Sequence, residues 1–168
     1  MTKFKYIWKN KEANFGKPLK RQIRGGTHVT FEIIPIYDGK IVAMRRKSIP
    51  EHESPPDINY HPRGKLFFCH NLIRYAEPMD KFVKRTVKSQ TGVSIRGWKI
   101  VRFESSYQKK DGQWALLGYI IAKLSQLPKP GKYGNKVTEV VTFTQKNIPG
   151  DFAWWSKKEL QNFMRSLE

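Results

Sequence analysis

The chain has 168 residues, 39% of them hydrophobic and 13% aromatic. That is the length of one domain, with enough apolar material for a core, which excludes global disorder. Lys and Arg number 32 against 14 Asp and Glu, a formal net charge of +18. This balance points to a polyanionic partner (RNA, DNA, a ribosome or an acidic membrane surface) or, more plainly, to a basic and soluble protein. Cys69 is the one cysteine, which excludes an intrachain disulfide and a Cys-based zinc site and fits a reducing compartment. No stretch approaches the ~18 apolar residues of a membrane-spanning helix, and the expectation is a cytoplasmic protein.

In chain order, residues 1–26 stand apart. Lys3, Lys5, Lys9, Lys11, Lys17, Lys20, Arg21 and Arg24 oppose Glu12 alone, with Phe4, Tyr6, Trp8 and Phe15 among them. This reads as a basic arm, 1–26, ahead of one domain, 27–168. Residues 27–37 predict a strand, Asp38-Gly39 a tight hairpin turn, and 40–46 the returning strand. Pro50, Pro55, Pro56 and Pro62 make 48–64 a loop, long enough for a lid or a binding surface. Residues 66–69 predict a short apolar strand, with Cys69 as a buried, inert thiol.

A helix over about 78–91 follows. Pro78 suits its first turn, Met79, Phe82, Val83 and Val87 recur at helical spacing, and Gly92 supplies the stop. Residues 95–107 predict a bent strand, 109–112 a turn, 114–124 a buried strand, 125–136 a loop and 137–144 another strand. A C-terminal helix over about 157–167 places Leu160, Phe163 and Leu167 on one face. The order argues for an α+β fold with a sheet between helices.

The segment 71–93 resembles the signature of the Nudix hydrolases, G-x5-E-x7-R-E-U-x-E-E-x-G-U, where U is a bulky apolar residue. Asn71 stands at the first Gly, Glu77 at the first Glu, Arg85 at the Arg, Val87 and Val93 at the apolar positions, and Gly92 at the last Gly. Thr86, Ser89 and Gln90 stand at the three metal-binding glutamates. The flanks are also similar: the 27–46 hairpin ending in paired arginines, the apolar strand before the box, and 152–160 opening the last helix. The resemblance covers about 27–167 and implies a Nudix-like α/β/α sandwich with a mixed central sheet. Asn71, Glu77, Arg85 and Gly92 are then scaffold positions; Glu77 and Arg85 also read as an ordinary surface ion pair near a helix start.

In the family the glutamates hold Mg²⁺ or Mn²⁺ by carboxylate oxygens, and the metals clamp a pyrophosphate and activate water. Thr86, Ser89 and Gln90 offer neutral oxygens only, amid Lys81, Lys84, Arg85 and Lys88. No cofactor is therefore expected, and the box reads as catalytically degenerate. If hydrolysis of a nucleoside diphosphate derivative is retained, Mg²⁺ or Mn²⁺ needs carboxylates from elsewhere: Glu51, Glu53, Asp57, Glu104, Asp111 or Glu139.

Charge and resemblance together point to RNA or a nucleotide or phosphate ligand. Candidate contacts are Arg45, Arg46, Arg74, Lys81, Lys84 and Lys88 in the domain, and Lys3, Lys5, Lys20, Arg21 and Arg24 in the arm. Phe4, Tyr6, Trp8, Tyr60 and Phe103 are candidates for stacking on bases where exposed, although most aromatics serve cores. His28, His52, His61 and His70 share no metal spacing. His70, next to the box, is read as packed or surface-lying rather than as a ligand contact. An active pyrophosphohydrolase and a basic subunit of a ribonucleoprotein stay open as alternatives, as does a homodimer, since many Nudix proteins dimerise.

Overall fold

The computed structural model describes residues 27–46, 65–74, 76–108, 113–131 and 137–167. The arm 1–26 and the proline-rich loop lie outside them. The core of the fold is β1 (Thr27–Tyr37), an apolar strand hydrogen-bonded on both edges. A strand covered on both faces carries an apolar run rather than an alternation, and Phe31, Ile33 and Ile34 are buried accordingly. The hairpin to β2 (Lys40–Arg46) turns at Asp38 and Gly39, with φ of 48° and 69°. A two-residue turn of this hand needs two left-handed residues, which Asp tolerates and Gly adopts without strain.

Around this hairpin the described residues build one mixed sheet of seven strands. The short β3 (Leu66–Phe67) pairs with β2, while β4 (Cys69–Leu72) pairs antiparallel with residues 30–33 of β1. Strand β5 (Ile95–Gln108) pairs with β6 (Gln113–Leu124), which runs parallel to β1, and β7 (Val137–Phe143) pairs with β2. Helix α1 (Met79–Thr91) covers one face, packing Phe82, Val83 and Val87 on Phe31, Ile33, Val42, Met44 and Ile120. Helix α2 (Lys157–Arg165) covers the other, packing Leu160 and Phe163 against Ile34, Ala43, Tyr119 and Phe143. The expected α+β sandwich with a mixed central sheet is the observed one.

The boundaries differ from the sequence-based expectations in instructive ways. The strand expected at 66–69 is two strands that pair with different neighbours, because the chain passes from the edge of β2 to the edge of β1 within six residues. Pro78 sits at the N-cap of α1 rather than in its first turn, with φ −61° and an extended ψ of 141°. The bend expected in 95–107 is a pair of register shifts, between Ile95 and Gly97 and between Ile100 and Arg102. Helix α2 stops at Arg165, two residues early, where Ser166 caps it.

Candidate functional site

Segment 71–93 forms β4, a short loop and α1, and its first half is fastened by Glu77. The Arg85 guanidinium donates to both Glu77 oxygens, from Nε at 2.6 Å and Nη2 at 2.8 Å, and the backbone N–H of Arg74 donates to Oε2 at 3.1 Å. The Glu77 side chain is only 8% exposed. A paired, bidentate fork of this kind fixes geometry as well as charge. The Arg85 hydrogen bonds hold the Glu77 carboxyl below its ordinary range, against an opposing push from burial. Asn71 lies in β4, where its Oδ1 accepts from the N–H of Leu72 at 2.8 Å. Gly92 caps α1 at φ 76°, a left-handed conformation suited to glycine, and its N–H donates to the Lys88 carbonyl.

The second half of the segment is different in kind. Thr86 is fully buried, and its Oγ1 has no hydrogen-bond partner. The Ser89 hydroxyl turns back on its own helix and donates to the Thr86 carbonyl at 3.0 Å. Gln90 reaches across to β4: its Nε2 donates to the His70 carbonyl at 2.7 Å, and its Oε1 accepts from the His70 N–H at 3.2 Å. The primary amide thus matches a main-chain donor and acceptor together, which a carboxylate cannot do.

These residues do not fit a divalent cation of the Mg²⁺ or Mn²⁺ type, which wants several anionic oxygens. One hydroxyl is enclosed, one is exposed but donates to its own helix backbone, and the amide presents an N–H to the His70 carbonyl. Among the described residues no group of three or more His, Cys, Asp or Glu side chains is placed to hold a metal.

Behind β4, on the α2 side of the sheet, lies a polar cluster that the sequence reading missed. Glu32 and His70 are opposite partners in the β1–β4 ladder. His70 Nδ1 is 2.8 Å from Glu32 Oε2, and His70 Nε2 is 2.9 Å from Thr30 Oγ1. Glu32, 4% exposed, also accepts from Trp155 Nε1 at 3.2 Å. Trp154 covers the His70 ring at 5.3 Å between centroids and also meets Phe67. With the proton on Nδ1, the imidazole donates to Glu32 and accepts from the Thr30 hydroxyl. With both nitrogens protonated, the hydroxyl donates instead to the Asn71 carbonyl, 3.2 Å away. The signal in the sequence was a single carboxylate at position 32, set between Phe31 and the Ile33-Ile34 pair.

The remaining candidates are spread out. The Arg45 fork is engaged by Glu139 at 2.8 Å and Asp151 at 2.7 Å, tying β2 to β7 and to the segment before α2. Glu139 is therefore part of an ion pair. Glu104 likewise pairs with Arg102 and accepts from the Tyr119 hydroxyl at 2.7 Å, and burial first, then Glu104, raises the Tyr119 ionisation. Lys81, Lys84 and Lys88 form an exposed stripe on α1. Lys84 pairs with Asp80, and Lys88 donates to the Gly92 carbonyl. Arg74 is half-buried in the loop before α1. The arm cations, the Arg46 and His28 side chains, Glu51, Glu53, Asp57 and Asp111 lie outside what is described, as do Phe4, Tyr6, Trp8, Tyr60, His52 and His61. Phe103 is described, and is 49% exposed.

No family model matches the chain. A curated relative, "Nodulation protein D 1" of Neorhizobium galegae, is 29% identical over 118 residues, covering 68% of this chain and 37% of that protein. The chain thus spans little more than a third of that relative's length. Among solved structures, a MutT NUDIX hydrolase from Burkholderia pseudomallei matches with a TM-score of 0.58 at 15% identity, over 81% of this chain and 97% of that one. A UDP-X diphosphatase matches at 0.59 and 8% identity, over 87% and 65%. A NUDIX hydrolase from Nitrosomonas europaea matches at 0.53 and 21% identity, over 82% and 70%. At such identities the likeness is one of fold, and the fold is that of the Nudix hydrolases.

Proposed function

We propose that this chain, built on the Nudix fold, is a catalytically silent member of that architecture that binds RNA or a related phosphate-bearing ligand. One observation carries the reading: the positions that would collect a metal are used internally. Gln90 closes on the main chain of His70, Ser89 bonds its own helix, and Thr86 is enclosed. The formal charge of +18 supports a polyanion as partner. The exposed stripe of Lys81, Lys84 and Lys88 suits phosphate oxygens directly, without an intervening metal.

The test has two arms. Affinity for single-stranded RNA is measured over a salt series, and the logarithm of the association constant is expected to fall linearly with that of salt, with a slope set by several phosphate contacts. Negligible RNA affinity at low salt would sink the binding half. In the second arm, nucleoside diphosphate derivatives are incubated with the protein and Mg²⁺ or Mn²⁺. Metal-dependent release of phosphate or monophosphate would overturn the silent half and favour an active pyrophosphohydrolase.

A further inference from the structure

Strand β5 is the outer strand beside β6, and its α1-facing side is incompletely covered. Trp98 is held to α1 through its Nε1, which donates to Asp80 at 3.1 Å. Ile100 lies opposite Ile120, a residue of the α1-side core, and is 39% exposed. Phe103 is 49% exposed, more than any other large hydrophobic side chain among the described residues. Its ring is nevertheless fixed. It meets Phe31 edge-on at 6.0 Å, Phe31 meets Phe82 of α1 at 5.1 Å, and Arg85 lies 5.6 Å over the Phe82 ring. Gly118 makes the arrangement possible: a Cβ there would fall 2.4 Å from Phe31 and 2.9 Å from Phe103.

We propose that Phe103 is a base-stacking platform and that the lysine stripe of α1 holds the phosphates of the same strand of single-stranded RNA. The proposal rests on the RNA-binding reading and deepens it by naming the surface. A ring fixed from beneath by Phe31 and open above loses little freedom when a base stacks on it, and stacking tolerates any base. Trp98, joined to α1 through Asp80, and Phe103 lie opposite Ala122 and Gly118, four positions apart on β6 because of the register shift between Ile100 and Arg102, roughly 13 Å at strand rise. A flexible single strand bridges that distance. Lys84 bonds the same Asp80, so the cations begin where the apolar strip meets the helix. This surface is on the opposite side of the sheet from the Glu32–His70 cluster.

The experiment compares the wild type with Phe103→Ala, Phe103→Leu and Phe103→Trp. Affinity for a short oligouridylate and for duplex RNA is followed over a salt series, with Leu127→Ala as control at an exposed apolar site elsewhere. Phe103→Ala and Phe103→Leu are expected to weaken single-strand binding roughly ten-fold. The salt slope and the duplex affinity should hold, since paired bases hide their faces. Phe103→Trp should restore binding. Phe103→Leu keeps the apolar cover, so a loss there does not come from unfolding. Single-strand affinity unchanged in all three Phe103 variants would overturn the platform and leave the RNA reading standing. A wild type that binds no RNA would overturn both. Equal losses on single-stranded and duplex RNA would also overturn stacking, since they point to a general change of surface.

Discussion

The two halves of segment 71–93 sit on one short stretch of chain and obey opposite rules. In the first half, Glu77 and Arg85 are charged, paired and half-enclosed, and their job is to hold a loop to a helix. In the second half, Thr86, Ser89 and Gln90 are neutral, and each is absorbed into local packing or backbone bonding. The scaffold contacts of Glu77 and Arg85 and the contacts of residues 86, 89 and 90 are separate sets, so either can change without the other.

The comparison can be broken most forcefully at Thr86. Thr86→Glu would place a carboxylate in a fully buried position with no partner. The expected loss, read by chemical denaturation, is about 4 kcal/mol or more. Thr86→Val, of similar shape, should instead gain about 1 kcal/mol by removing an unpartnered hydroxyl. A tolerated glutamate would mean that this half still opens to solvent.

Next in size is the scaffold pair. Glu77→Ala leaves Arg85 facing a half-enclosed site without its carboxylate, and the expected loss is about 3 kcal/mol. Gln90→Glu should cost about 2 kcal/mol, since a carboxylate oxygen would face the His70 carbonyl oxygen and one donor would be lost. Hydrogen exchange at β4 is the more specific readout, as the variant should loosen that strand before the rest.

The smallest effect is one of pH. Glu77 is held below its ordinary range, chiefly by Arg85. A carboxylate depressed in the folded state adds stability that is fully present above its unfolded value, near ~4.3. That stability is lost as pH falls through the lower folded value. Denaturation midpoints should therefore drop on acidification below about pH 4.3, and Glu77→Gln should flatten that part of the profile.

Much of the fold was legible because local signals agreed. The Asp38-Gly39 turn set the first hairpin, and the helical spacing of Phe82, Val83 and Val87 marked α1 and its buried face. The splitting of 66–72 into two strands was not legible, since it depends on which neighbour offers a free edge, a matter of the whole sheet. In the site, residue identities at 86, 89 and 90 could be read directly, but not what they do. Gln90 bonds His70, twenty positions away, and nothing local to Gln90 predicts that. Glu32 escaped for a related reason. A buried carboxylate in a strand is intelligible only once its partners are known, and His70 and Trp155 come from 38 and 123 positions along the chain. Phe103 was legible as an aromatic but not as an exposed one, because exposure depends on how much of the β5 face the rest of the fold covers.

The clamp from Gln90 bears on the outer edge of β4. Glu32 and His70 form a pair whose side chains are close, while the main-chain groups of His70 point away from β1, toward an edge that no strand among the described residues pairs. An unpaired strand edge is a template on which another chain can add a strand, and proteins blunt such edges in various ways. Here a single side chain serves as a miniature strand, supplying one donor and one acceptor where a neighbour would. At His70 the outer main-chain donor and acceptor of β4 are thereby both taken by α1, and an amide at position 90 is what supplies both partners at once.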